Sequence, residues 1–333
     1  MSAPGLSANT YPLLNHPSSQ SRCFPRAPGP RQVPCSRTYS ITASPPMATE
    51  HQPLAKGTQV TSSSGRTYII KEVIYQRSRG RLLCCLYRAS HERKQYVLKD
   101  ILPGDWQYNL DLQNLIAGSA HVRTLVDSIP NHHMFVYPFL DTNLQLVDIT
   151  AIAPSVRKSI LKDALADLAD LHDKSIYHTD IKPANIMMDS FVQGDGTIGF
   201  RNVRITDLED GVVLPPGSPG LGKRLSGNQF WRSPQAWARA AQHTPSDIVS
   251  FGIVDVDDFD GFVEYHGGEE NPFVQRFGNL LLTFDSADKK RKPFSHWYPV
   301  DPQFKDLVSK MTRLDPRRRI TAREALKHPW FNE

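Results

Sequence analysis

The residues from 155 to 174, SVRKSILKDALADLADLHDK, return apolar groups to one face at Ile160, Ala164, Leu168 and Leu171, the spacing of an amphipathic helix. The next stretch is of a different kind. His178-Thr179-Asp180-Ile181-Lys182-Pro183-Ala184-Asn185 is a polar loop in which Pro183 forbids a further helical turn. The chain changes texture around this junction. Upstream, RTYIIKEVIYQ, RLLCCLYRA and QYVLKDI read as strands, a helix is expected around 105–118, and HMFVYPFL reads as a further strand. Beyond about residue 235 the pattern is mostly helical, and no internal repeat is present. A strand-rich first part and a helix-rich second part predict an α+β chain with two lobes of unequal size.

Composition locates the foldable part. Ten of the 26 prolines fall within residues 1–53, with many Ser, Gly and Gln. Such a stretch buries too little apolar surface to offset the entropy of ordering, so residues 1–60 are expected to form a disordered tail. Arg22, Arg26, Arg31 and Arg37 lie in its first 49 residues with no acid beside them, which leaves 35 basic against 34 acidic residues elsewhere. The formal charge of +5 is therefore mostly a property of the tail, and no nucleic-acid partner is expected. An Arg-bearing, Ser-rich, acid-free segment also has the composition of a mitochondrial presequence, and Arg37-Thr38-Tyr39-Ser40 resembles a cleavage pattern of that kind. Its prolines would break the amphipathic helix that import requires. An intracellular protein, cytoplasmic or nuclear, is expected, with mitochondrial import as the alternative. No apolar stretch approaches the roughly 20 residues of a membrane span. Cys23, Cys35, Cys84 and Cys85 show no zinc spacing, and the adjacent pair would face opposite sides of a strand.

The loop carries a family resemblance. HTDIKPANIMM resembles the catalytic loop of eukaryotic protein kinases, usually written H-R-D-x-K-P-x-N. Further landmarks come in order: Lys99 in YVLKD, Asp207 in ITDLEDG, Ser233-Pro234-Gln235 where kinases have A-P-E, Asp247 in SDIVSFG, and Arg319 in DPRRRITAREALKHPWF. The resemblance covers roughly residues 66–331, with an N-lobe of about 66–140 and a C-lobe of about 141–331. It implies an α+β, bilobal protein-kinase-like fold, with a small antiparallel β N-lobe and a larger helical C-lobe, and transfer of phosphate from ATP, with Mg²⁺, to Ser or Thr hydroxyls of a protein substrate. The sequence leaves the oligomeric state open, with a monomer expected. In that reading Asp180 is the base, Lys182 neutralises the γ-phosphate, and Lys99 holds the α- and β-phosphates. Asn185 and Asp207 bind metal, Asp111 aligns with the helix glutamate that positions Lys99, and the Leu140 backbone meets adenine after Tyr137.

Several positions depart from the pattern. Arg77, Arg79 and Leu82 stand where three glycines belong, which weakens nucleotide binding unless an arginine serves as a phosphate ligand. Glu209 replaces the glycine of D-F-G; in an extended segment it would face Mg²⁺ together with Asp207. Thr179 replaces an arginine that answers activation-loop phosphorylation, and Gln235 leaves Arg319 a neutral partner. The acid-rich DVDDFDGFVEYHGGEE cannot be buried, so the helix it begins should end early or turn outward. Two alternatives stay open: a pseudokinase that binds or scaffolds without catalysis, and a small-molecule kinase, for which the D-L-E element argues.

Overall fold

The computed structural model describes residues 52–79, 82–148, 151–257 and 300–332. Nearly all of the expected tail and the acid-rich segment beyond Asp257 lie outside the described residues. The described residues include 52–60, the end of the stretch expected to be disordered. Strand β1 (Gln59–Thr61) pairs with β2 (Thr67–Arg79), Val60 is buried, and the Leu54 amide donates to the Tyr87 hydroxyl at 3.2 Å. A three-residue strand between Gly57 and a run of serines is too short to show a period, which is why the sequence hides it.

The N-lobe is a six-stranded antiparallel sheet in the order β1-β2-β3-β4-β6-β5, with β3 (Leu82–His91), β4 (Lys94–Asp100), β5 (Asp127–Ile129) and β6 (Met134–Pro138). Alternation along the strands sends Tyr68, Ile70, Cys85, Tyr87, Leu98 and Val136 to one core, and Cys84 to the other face of β3. Helix α1 (Trp106–Ile116) is tied to the sheet through Trp106, whose ring lies 4.8 Å from that of Phe135. Where glycines would have let the chain leave the ladder, β2 and β3 stay paired through Arg77↔Cys84 to Arg79↔Leu82.

The C-lobe is built on α2 (Pro154–Asp173), with Pro154 at its first turn, where the missing N–H costs nothing. A short helix, α3 (Pro234–Trp237), is capped by the Ser233 side chain, which accepts from the Ala236 amide. The apolar stripe of α2, Ile160, Leu161, Ala164, Leu165, Leu168 and Leu171, is buried among residues of α4 (Thr244–Asp257) and α5 (Pro302–Met311). Gly252 allows the close approach of α4 to α5, since a Cβ there would lie 2.9 Å from that of Met311. Three strands, β10 (Ile198–Ile205), β9 (Ile186–Val192) and β7 (Thr142–Asn143), form a small sheet. Among the described residues no helix is long and apolar enough to cross a membrane.

Candidate active site

The catalytic-loop segment is held from every side. Strand β8 (Ile176–Tyr177) pairs with β11 (Val212–Val213), which brings residues 178–185 beside residues 207–211. Asp247, 1% exposed on α4, accepts from the His178 amide at 2.8 Å and the Thr179 amide at 3.1 Å, and meets His172 Nε2 at 3.1 Å. The Asp180 amide donates to His178 Nδ1, so the His178 proton sits on Nε2 and is given to the Thr206 carbonyl. Thr179 takes a left-handed backbone (φ 75) that is costly for a β-branched residue. Its carbonyl lies 2.3 Å from where a Cβ on Gly227 would stand, so residue 227 must be glycine for the two segments to meet.

Asp180 is oriented at both oxygens. Oδ1 accepts from the Asn228 amide at 2.8 Å, while Oδ2 accepts from Lys182 Nζ at 2.5 Å and Asn185 Nδ2 at 3.4 Å. Asn185 also donates to the Asp180 carbonyl at 2.8 Å, which commits its amide nitrogen and leaves Oδ1 as the atom it offers a ligand.

Across the cleft the wiring differs from expectation. Lys99 Nζ pairs with Asp207 and, at 2.5 Å, with Glu209 Oε2. Asp111 is not near it: it lies exposed and accepts from Gln107 Nε2 at 2.9 Å. The buried stripe of α1 is Asn109, Leu112, Gln113 and Ile116, and Asp111 falls off that face. Two amides, Asn109 and Gln113, are what α1 presents to the cleft wall. The segment carrying Asp207 and Glu209 is also not extended. Asp207 is left-handed (φ 68, ψ 49) and Leu208–Asp210 form a 3-10 turn, which buries Leu208 and returns Glu209 to Lys99.

Burial opposes every charge in this trio; neighbouring charges outweigh it at Asp207 and Lys99 but not at Glu209. Burial raises the Asp207 carboxyl, but the Lys99 ammonium outweighs it and holds the group well below the usual carboxylate range. Glu209 goes the other way: burial first, then the Asp207 charge, push its carboxyl up despite Lys99. Lys99 is driven up by Glu209 and Asp207 against its own burial. Tyr137 donates to Glu209 Oε1 at 3.4 Å.

These groups line a cleft of about 470 Å³ together with Arg77, Val97, Leu140, Met187 and Arg123. The Arg79 side chain lies outside the described residues. Asn185 and Asp207 offer the hard oxygens that Mg²⁺ takes, and that ion keeps several waters, so two protein ligands fit it. Glu209, like Asp207, is engaged by Lys99. Arg123 and Asn228 escape sequence reasoning; a lone arginine before a short strand and an asparagine in a Gly-Asn-Gln turn carry no signal by themselves.

In the C-lobe, Arg319 is 7% exposed, and its hydrogen bonds among the described residues go to neutral acceptors, among them Gln235 Oε1 at 2.9 Å and the Pro245 carbonyl at 3.0 Å. Burial lowers its guanidinium to about 10, with the Asp315 charge only partly opposing it.

A bilobal cleft with these landmarks is that of a protein kinase. The protein kinase domain profile matches residues 109–331, and the chain belongs to this family. It is 26% identical over 227 residues to the liver/testis isoform of the phosphorylase b kinase gamma catalytic chain of Bos taurus, covering 65% of this chain and 51% of that one. It is 24% identical over 230 residues to the calcium/calmodulin-dependent protein kinase cmkB of Emericella nidulans (66% and 53%). Serine/threonine-protein kinase STE11 of Saccharomyces cerevisiae is 30% identical over 180 residues, covering 54% of this chain and 22% of that protein. The chain thus spans about half the length of the first two relatives.

Proposed function

We propose that this chain transfers the γ-phosphoryl group of a purine nucleoside triphosphate, ATP in the first instance, to a Ser or Thr hydroxyl of a protein substrate. The observation that carries this is the Asp180 carboxylate, fixed by donors from Lys182, Asn185 and the Asn228 amide. Positioning and electrostatics supply most of the catalysis of phosphoryl transfer. Asp180 takes the proton of the attacking hydroxyl, whose oxygen bonds to the γ-phosphorus as the bond to the bridging oxygen breaks. Lys182 offsets the charge of the moving group, and Lys99 meets the remaining phosphates. Asn185 and Asp207 would hold Mg²⁺, whose charge would offset that of the phosphates. The pairing of Lys182 with Pro183 supports Ser/Thr over Tyr.

The test is thermal stabilisation of the full chain by millimolar MgATP, with phosphate transfer to a generic basic protein. Asp180→Asn is expected to lower transfer by about 10²–10⁴-fold while nucleotide binding stays within about twofold. Transfer unchanged in that variant overturns the assignment. Stabilisation without transfer by the wild type supports instead the scaffold reading, for which the degenerate β2–β3 hairpin argues.

A further inference from the structure

The register of the N-lobe sheet orders the roof of the cleft. At one end Tyr137 pairs with Val97, beside Leu140. The next partners on the same face are Phe135, Lys99, Leu86 and Tyr75, in a row across β6, β4, β3 and β2. Two residues farther from Leu140 stand Cys84 and Arg77, paired with each other and both lining the cleft. Arg77 is thus the basic group that follows Lys99 along this wall, about 7 Å beyond the Lys99 row by strand rise.

Backbone and charge both leave this place to a side chain. The ladder from Arg77↔Cys84 to Arg79↔Leu82 keeps the hairpin in the sheet, with its N–H groups in the sheet plane rather than aimed at the cleft. Those residues offer no cradle of amides. The cleft wall is also short of uncommitted cations. It carries Asp105, Asp141 and Asp210 besides Asp207 and Glu209, against Arg77, Lys99 and Arg123. Lys99 is held by Asp207 and Glu209. Arg123 donates to the Pro138 carbonyl and lies over the Tyr137 ring, 5.0 Å from its centroid. Among the described residues the exposed Arg77 side chain has no hydrogen-bond or ion-pair partner. A triphosphate brings further negative charge to a wall that is already net acidic, and Arg77 is the cation there with its donors unspent.

We propose that Arg77 binds the terminal phosphate of a nucleoside triphosphate, its guanidinium taking the place of a backbone amide cradle. This rests on the nucleotide-binding reading above, in which Lys99 meets the inner phosphates. A guanidinium fork matches two oxygens of one phosphate, so the contact is directed as well as attractive. A diphosphate ends short of Arg77, so this residue separates ATP from ADP.

The experiment measures dissociation constants of the full chain for MgATP and MgADP, in the wild type, Arg77→Gln, Arg77→Lys and Lys71→Gln. Lys71 is an exposed cation of the same strand outside the cleft, so its variant removes an equal charge without the contact. Arg77→Gln is expected to weaken MgATP by about tenfold, the size of a charge-assisted contact, and MgADP by about threefold at most. Arg77→Lys keeps the charge without the fork and is expected to fall between the wild type and Arg77→Gln. Lys71→Gln should leave both constants within about twofold of the wild type. An equal loss for the two nucleotides in Arg77→Gln overturns the proposal, because a reshaped cleft or a weakened field acts on both. An MgATP constant that Arg77→Gln moves no more than Lys71→Gln does also overturns it, and leaves the nucleotide-binding reading standing. If the wild type binds neither nucleotide, that reading itself fails, and this inference fails with it.

Discussion

The catalytic-loop side of the cleft and its lysine side both hold charged groups in place, but with different redundancy. Asp180 is bonded by three residues from two segments, and the loop that carries it hangs from Asp247 by two amides. Lys99 relies on two carboxylates from a single turn, and α1 contributes none. Losing one bond on the first side leaves others; losing one on the second changes what Lys99 does. The side with the family's residues is the cross-braced one, and the side with the departures is held by a local substitute.

The anchor of the braced side is its largest vulnerability. Asp247 is buried and accepts from the backbone N–H groups of both His178 and Thr179. Asp247→Asn replaces one accepting oxygen by a donor facing a donor. We expect a loss of about 3 kcal/mol or more in unfolding free energy, since an unmet buried group costs its full desolvation. Urea denaturation of the full chain checks it. A loss below about 1 kcal/mol would mean that β8 and β11 hold the loop without Asp247.

The lysine side is tested by a pair of variants. Glu209→Gln keeps the shape and removes the charge, leaving Asp207 alone with Lys99 and drawn away from a metal. It should reduce kcat/KM by about 10–100-fold, mainly through a higher KM for nucleotide. Asp111→Asn, on the exposed face of α1, should stay within about twofold of wild type in the same assay. The reverse pattern would restore the helix as the partner of Lys99 and erase the contrast between the two sides.

Legibility in the sequence divides along the same line. The octet 178–185 and the helix before it can be read because their residue types are fixed by chemistry and period together. Strand β3 is visible because its alternation is long, and β6 because Met134 to Tyr137 form a continuous apolar run, all four buried. Asp111 is the wrong partner for Lys99, and the sequence does carry the signal against it: Leu112 and Ile116 define the inward face of α1, and Asn109 and Gln113 lie on it while Asp111 does not. Glu209 is a cleft residue, as expected, but for a different geometric reason. Nothing local in a sequence shows that Asp207 turns left-handed and carries Glu209 back. Arg123 depends on a carbonyl distant in sequence, and no period encodes that.

The smallest effect concerns the joint between the sides. Asp167, fully buried on α2, accepts from the Ile205 amide at 2.7 Å, at the end of β10 just before Asp207. Burial pushes its carboxyl up to about 8; Arg204 pulls against this, and Asp170 and Asp163 add to it. In the unfolded chain the group ionises near pH ~4. Between about pH 4 and 8 the folded state therefore keeps a proton that the unfolded state has lost, and stability falls as pH rises through that window. Asp167→Asn retains an acceptor for Ile205 and abolishes the titration. Its melting temperature should match the wild type near pH ~4.5 and exceed it progressively toward pH ~8, by about 1–2 kcal/mol in stability. The expected gain is kept below the full linkage value because an ionised Asp167 would draw Arg204 toward it. A gap between variant and wild type that does not widen with pH would show that Asp167 is ionised in the fold, and that the joint holds a charge as the lysine side does.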